Sequence, residues 1–235
     1  MARRNSLQTG RAEQLPLELG HAAARGREDL IVSDPLSAAI ALIDRWPDWP
    51  SPVVILCGPA GAGKTHLAEI WRERADASVL DLADSTSRAL EAARTHPVIL
   101  EDVDRKAIDE TALFHLINEV RSAGSFLMMT SRLWPAAWPV SLPDLKSRLK
   151  AATVVEIGGP DDGLLAQVIV KLFADRQIAI DPKVVDYLVA RMERSFDAAS
   201  WLVAEMDRVA LSRRVRLTTS LASEVLSRYQ DDRPS

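Results

Sequence analysis

Cysteine and tyrosine are scarce in this 235-residue sequence, and neither charge is in large surplus. The lone Cys57 has no partner for an internal disulfide, which fits a reducing cytoplasm and makes a small buried apolar residue the plain reading of that position. Lys and Arg number 29 against 33 Asp and Glu, a net charge of -4, so the bulk composition carries no basic footprint for nucleic acid. No apolar run approaches the roughly 20 residues that cross a bilayer, and residues 1–10 hold no apolar signal core. A soluble, unprocessed chain with no membrane partner is expected. Length is not lacking, since 235 residues bury a full core for one large domain or for one domain with a small appendage.

What is present is a glycine-rich string. Gly58-Pro59-Ala60-Gly61-Ala62-Gly63-Lys64-Thr65 matches the phosphate-binding P-loop pattern, and it directly follows the apolar run Pro52-Val53-Val54-Ile55-Leu56-Cys57. That setting gives the match its weight. A strand must deliver the chain to a turn whose N–H groups cradle phosphates, and a helix must start there with its positive dipole end facing them. A helix is predicted over 65–75, with His66 in its first turn. Lys64 is then placed to reach the β- and γ-phosphates, and the Thr65 hydroxyl to ligate Mg²⁺. The alternative is a glycine turn that only joins strand to helix.

Along the rest of the chain, residues 1–28 show no sustained period and read as a flexible arm. One island differs: Gln14-Leu15-Pro16-Leu17-Glu18-Leu19 sets three leucines two apart with a proline that favours extended backbone. It reads either as an edge strand or folded-back tail, or as a linear peptide whose alternate side chains dock in a partner's apolar pockets. From residue 29 the pattern alternates. Helices are expected over 36–46, 85–94 and 110–123, and strands over 53–57, 78–81, 97–104, 125–130 and 153–157. Strands spaced by helices predict an α/β domain over 29–159, a five-stranded parallel sheet covered on both faces. Past Gly158-Gly159-Pro160 the apolar spacing is helical throughout, which predicts a small all-helical domain over 160–235.

A P-loop site that hydrolyses nucleotide needs carboxylates at the end of a neighbouring strand. Val98-Ile99-Leu100-Glu101-Asp102 supplies them, with Glu101 on the metal side and Asp102 on the water side; the other reading is a solvated acidic turn, for which Asp104 is a candidate. Thr130 and Ser131 are candidates for sensing the γ-phosphate from a third strand tip, although turn chemistry alone accounts for such residues. Residues 142–149 form a short basic segment in which Arg148, by composition, is a solvated surface arginine.

Taken together, the P-loop, the acidic strand end, the polar strand tip and the Ser147-Arg148 pair before a helical end resemble the AAA+ ATPases. Within them they resemble the clade around the bacterial replication initiator DnaA, including its shortened branch of regulatory inactivators. Leu30-Ile31-Val32-Ser33 is similar to the entry segment that packs near adenine, which implicates Ile31 and Val32 in nucleotide binding. Leu145-Lys146-Ser147-Arg148 is similar to the initiator's arginine-finger box, and Met206-Asp207-Arg208 to its lid helix. The resemblance covers residues 29–229. It implies the P-loop AAA+ fold with a helical lid, bound ADP or ATP with Mg²⁺, and Arg148 as a finger completing a partner's site. Because the sequence ends where the lid ends, the initiator's C-terminal DNA-binding domain is expected to be absent, with no sequence-specific DNA contact.

Gln14, Leu15, Leu17 and Leu19 resemble the peptide by which inactivators of this branch bind the replicative sliding clamp. The implied partners are therefore DnaA and the clamp, in the cytoplasm at the nucleoid and replisome, with a homodimer left open. Three positions depart from the clade: Glu101 replaces an aspartate, Ser131-Arg132 run on without the usual aspartate, and Asp197 with Arg194 stand where a lid sensor arginine is expected. They imply weak or absent hydrolysis by the chain itself and a nucleotide held as a structural switch. The alternative is a helicase-loader-like or transposition-helper ATPase that contacts single-stranded DNA through Arg208, Arg213, Arg214 and Arg216.

Overall fold

A parallel pair of strands needs a crossover long enough to return across a face of the sheet, and the helical stretches between the apolar runs supply it. The computed structural model describes residues 34–81, 86–105 and 107–231. In chain order, α1 (Asp34–Asp44), β1 (Val53–Cys57), α2 (Lys64–Ala75), β2 (Ser78–Leu80), α3 (Thr86–Thr95) and β3 (Val98–Leu100) come first. They are followed by α4 (Glu110–Ala123), β4 (Leu127–Ser131), a short 3₁₀ turn (Pro135–Ala137), α5 (Pro143–Lys150) and β5 (Thr153–Glu156). The leucine-rich island at 14–19, with Gln14, Leu15, Leu17 and Leu19, and the entry segment with Ile31 and Val32 lie outside the described residues.

All strand pairs are parallel, in the order β2-β3-β4-β1-β5. Strand alternation sends the side chains of β1 to two cores. Val54 and Leu56 join Ile40, Ile43, Leu67 and Trp71 of α1 and α2 on one face. Val53, Ile55 and Cys57 join Leu113, Leu116 and Ile117 of α4 and Leu145 and Leu149 of α5 on the other. Every residue of β1 is buried, so the strand that feeds the P-loop is anchored on both sides. At about 1.5–3 kcal/mol for each large apolar side chain taken out of water, this is the rigid part of the molecule.

The remaining helices, α6 (Asp162–Ala174), α7 (Pro182–Val189), α8 (Phe196–Arg213) and α9 (Thr219–Asp231), share an apolar cluster of their own around Phe173, Leu188, Leu202, Met206 and Val225. The starts of α6, α7 and α8 are capped by Asp161, Asp181 and Ser195, whose side chains accept from the Leu164, Lys183 and Ala198 N–H groups.

Three details differ from the sequence expectation. β3 ends at Leu100 rather than at residue 104, because Asp102 takes a left-handed φ of 51° and turns its N–H to Thr130 Oγ1 (2.9 Å). β4 lies between β1 and β3, so the acidic strand end is next but one to the P-loop strand. The basic segment at 142–149 is a helix, α5, held by only two buried residues one turn apart, Leu145 and Leu149.

Candidate functional site at the carboxyl ends of the strands

Between β1 and α2 the chain makes the turn that a P-loop requires. Gly61 and Gly63 have φ of 67° and 90°, a region that side-chain-bearing residues rarely enter. Gly63 caps α2 without any side-chain acceptor. The N–H groups of Gly61, Gly63, Lys64 and Thr65 find no protein acceptor among the described residues. Unpaired donors at a helix start, with its dipole behind them, form a cradle for an anion.

Lys64 is 6% exposed, and its ammonium donates to the Gly58 (2.7 Å) and Pro59 (2.8 Å) carbonyls. Burial pushes its pKa down; Asp102 and Asp104 oppose that shift and Arg132 adds to it. This is a charge held at some cost and open to an anionic partner. Pro59 and Ala60 are exposed on the outside of the turn and Ala62 is buried beneath it. His66 is half-buried in the first turn of α2.

The Thr65 hydroxyl donates to Glu101 Oε2 at 2.6 Å, so the two groups expected to share a metal are together although β4 separates their strands. Two oxygens with the remaining positions left to water and phosphate is a donor set that suits Mg²⁺. Among the described residues no group of three His, Cys, Asp or Glu side chains forms a metal cage. Asp102 points its carboxylate to Arg105 (3.1 Å).

Thr130 and Ser131 are buried, and both hydroxyls are committed within the protein. Thr130 Oγ1 accepts from Asp102 N–H, and Ser131 Oγ donates to the Leu133 carbonyl. They shape the strand tip rather than face outward. Asp104 is part of the same framework and not a solvated turn, for its carboxylate accepts from the Arg132 N–H (3.1 and 2.9 Å) and the Leu133 N–H (2.8 Å). Burial pushes the Cys57 thiol's pKa up, as expected for an inert core residue.

The helical part reaches this site directly. Phe196 N–H donates to the Gly61 carbonyl (2.8 Å), and a Cβ built on Gly61 would stand 2.3 Å from Ser195 Cβ. A Cβ on Gly63 would stand 3.3 Å from the Phe196 ring. The start of α8 therefore rests on the P-loop. The side chains it brings there are not cationic: Asp197 follows, exposed, and Arg194 is paired with Asp162 (3.1 Å).

The Arg148 side chain makes no hydrogen bond or ion pair with the P-loop, Glu101 or Asp102, nor with any other described residue; it is half-buried on α5. What fixes α5 is Glu110, the first residue of α4. Its carboxylate accepts from the Ser141 N–H (2.9 Å), the Ser141 hydroxyl (2.9 Å) and the Leu142 N–H (2.6 Å). Those N–H groups hold its pKa below the usual glutamate range. Sequence reasoning gives Glu110, Ser195 and Phe196 no role and offers Asp104 only as a solvated turn; among the first three only Glu110 carries a signal, as an acid in the first turn of a well-delimited helix.

Of the arginines considered for single-stranded DNA, Arg208 pairs with Glu205 (2.6 Å) and Arg213 with Glu224 (2.8 Å). Among the described residues no helix is long and apolar enough to cross a membrane.

No protein-family model and no curated protein matches the sequence. Solved structures do match in shape. Domain III of the replication initiation protein DnaA from Thermotoga maritima superposes with a TM-score of 0.75 at 17% identity, over 87% of this chain and 96% of that one. AMPPCP-bound DnaA from Aquifex aeolicus superposes with a TM-score of 0.64 at 18% identity, over 87% of this chain and 69% of that one. The Holliday junction branch migration motor RuvB of Thermotoga maritima gives 0.60 at 15%, over 74% of this chain and 60% of that one. The chain thus has the AAA+ P-loop fold, with the sheet and helices arranged as in DnaA domain III.

Proposed function

We propose that this chain is a nucleotide-binding regulator of replication initiation, an inactivator of DnaA of the Hda kind, which acts by completing the initiator's site rather than by turning over its own. The observation that carries this reading is Arg148, without a partner among the described residues, on a short helix whose placement is fixed by Leu145, Leu149 and the Glu110 clamp. A guanidinium carried on a fixed helix and left unbonded suits the charge that spreads over a transferring phosphoryl group on a neighbouring molecule. The leucine-rich peptide at 14–19 is the proposed anchor to the DNA-loaded sliding clamp.

Its own P-loop is proposed to hold ADP or ATP with Mg²⁺, as the AMPPCP-bound DnaA structure supports. The bound nucleotide would supply the polyphosphate charge that the unpaired N–H groups and Lys64 lack. Lys64, which donates to the Gly58 and Pro59 carbonyls, would serve the phosphate oxygens, and the Thr65 hydroxyl and the Glu101 carboxylate would hold the metal. Asp102, tied to Arg105, is poorly set to activate water, and the start of α8 brings no arginine to the phosphates. The site is built to retain a nucleotide and hydrolyse it slowly.

The test is hydrolysis of DnaA-bound ATP in the presence of clamp on DNA. Arg148→Ala is expected to lose stimulation by about a thousandfold or more, and a variant as active as wild type would remove the finger role. Clamp pull-down with the Gln14→Ala, Leu15→Ala double variant is expected to fail. The rival reading as a single-stranded-DNA-binding ATPase is less supported, since Arg208 and Arg213 are engaged by glutamates; salt-dependent DNA binding without clamp would favour it.

A further inference from the structure

Just past β4, Leu133 and Trp134 leave their side chains 51% and 46% exposed. Among the described residues no other two large apolar side chains adjacent in sequence stand in water this way. A single exposed apolar residue needs no explanation, but a contiguous pair forgoes stabilisation that burial would supply. Nor does the exposure come from a loose loop. The Leu133 N–H donates to the Asp104 carboxylate (2.8 Å), and the Leu133 carbonyl accepts from the Ser131 hydroxyl and from Trp138 Nε1 (3.0 Å). The Trp134 carbonyl accepts from the Ala137 N–H (2.8 Å) at the start of the 3₁₀ turn, and Trp138, at the far end of that turn, is buried with Leu145 and Leu149 of α5. The pair is therefore presented on a fixed base. Such a base lowers the ordering cost of binding, and tryptophan is enriched at the energetic centres of protein interfaces.

The charges beside the pair are mostly of one sign. Arg132 precedes it, exposed, and α5, against which the turn packs, carries exposed Lys146 and Lys150 and the half-buried Arg148. Asp104 and Glu110 spend their carboxylates on main-chain N–H groups, and α5 itself holds one acid, Asp144, against its three cations. The chain as a whole has a net charge of -4, and Arg208, Arg213 and Arg228 of the helical part are paired with glutamates. This face is thus a local excess of positive charge beside an apolar pair, and its complement is an apolar pocket with carboxylates at its edge.

We propose that Leu133 and Trp134 are the apolar anchor of a docking face completed by Arg132 and the cations of α5, and that its occupant is an acid-rimmed apolar pocket on the nucleotide-binding domain of the initiator. This rests on the inactivator reading above. Because the 3₁₀ turn and α5 share one core, a partner seated on the pair is also brought to the helix that carries Arg148. The anchor supplies affinity and Arg148 supplies rate. Leu133 favours a protein pocket over single-stranded DNA, whose bases stack on an indole but leave the leucine in water.

The experiment is hydrolysis of DnaA-bound ATP with clamp on DNA, followed against the concentration of the full chain. Wild type is compared with Trp134→Ala, Trp134→Phe, Lys150→Glu, Arg148→Ala and Leu211→Ala; Leu211 is an exposed apolar residue toward the end of α8 away from the P-loop. Trp134→Ala is expected to raise the half-saturating concentration about tenfold to thirtyfold, the loss typical of a truncated interface anchor, with the rate at saturation retained. Trp134→Phe should recover part of the affinity, and Lys150→Glu, which reverses one charge of the face, should weaken it. Arg148→Ala should instead lower the rate at saturation, and Leu211→Ala should match wild type. A half-saturating concentration unchanged in Trp134→Ala would overturn the docking face while leaving the Arg148 finger intact, as would a fall in its rate at saturation. Sedimentation that finds a wild-type dimer and a Trp134→Ala monomer would assign the pair to a second copy of this chain and overturn the proposal. Single-stranded DNA that binds wild type and not Trp134→Ala would overturn it in favour of stacking. Wild-type protein that stimulates no hydrolysis would overturn both this face and the inactivator reading.

Discussion

Replacing Gly61 with alanine tests whether the start of α8 rests on the P-loop. Gly61 has a φ of 67°, and holding an L-residue there costs about 1–2 kcal/mol. The new methyl would also stand 2.3 Å from Ser195 Cβ, so either the loop deforms or the helix start lifts away and strains the Phe196 N–H bond to the Gly61 carbonyl. Overpacking of this kind costs about 1–3 kcal/mol, which brings the expected loss for Gly61→Ala to roughly 2–5 kcal/mol. Ser195→Gly removes the obstructing carbon and the cap to the Ala198 N–H (3.1 Å), at a cost of only a few tenths of a kcal/mol. In the double variant the clash disappears and the left-handed cost stays. The two substitutions should therefore couple by about 1–3 kcal/mol in the favourable direction. Urea denaturation of wild type, both single variants and the double variant, followed by the fluorescence of the six tryptophans, measures it. Strictly additive losses would show that Ser195 does not obstruct Gly61 and that the lid is not seated on the loop.

Two further outcomes follow from charges in the site. Lys64→Met should remove nucleotide-dependent stabilisation, which in wild type at a hundredfold excess over Kd is about 2.7 kcal/mol, or roughly 5–10 °C in Tm. Because burial depresses the Lys64 pKa, the unfolded chain holds that proton more tightly. Wild-type stability without nucleotide should then rise, relative to Lys64→Met, as pH climbs from the lowered value toward the ordinary lysine range, and a flat difference between urea midpoints would refute the burial argument. The Glu110 pKa is lowered too, by hydrogen bonds rather than by burial: its contribution is present above the usual glutamate range and fades as pH falls through the lowered value. Glu110→Gln should accordingly lose less stability than wild type on acidification, and at neutral pH should impair stimulation of DnaA while sparing nucleotide affinity.

The local parts of the fold were legible because their signals are local. The expected and observed bounds of α4 coincide, since Asp109 caps one end, Gly124 in the left-handed region closes the other, and Leu113, Leu116, Ile117 and Val120 mark the buried face between. The strand before the P-loop was equally plain, a five-residue apolar run with no polar face to hide. Strand order was not legible, because a buried run shows that a strand is central without showing which strands flank it. The acidic strand end therefore seemed adjacent to the P-loop when β4 in fact intervenes. α5 is hard to read as a helix because its two buried leucines, Leu145 and Leu149, are outnumbered by charged and polar residues.

The candidate site divides along the same physical line. Thr65 and Glu101, 36 positions apart, are named together on the expectation that a metal-bearing site takes a hydroxyl and a carboxylate, and the two side chains meet at 2.6 Å. Chemistry of that kind can be read without knowing the path of the chain. Asp104 could not be read in this way: a carboxylate accepting main-chain N–H groups 28 and 29 positions away satisfies geometry and not reaction chemistry, so its sequence looks like any acidic turn. The same holds for Glu110, which grips residues 31 and 32 positions on. Yet these two clamps decide where Arg132 and α5 stand. Substituting either clamp should move an arginine without touching it, so the function of a site whose reacting groups are legible still hangs on carboxylates whose role appears only in three dimensions.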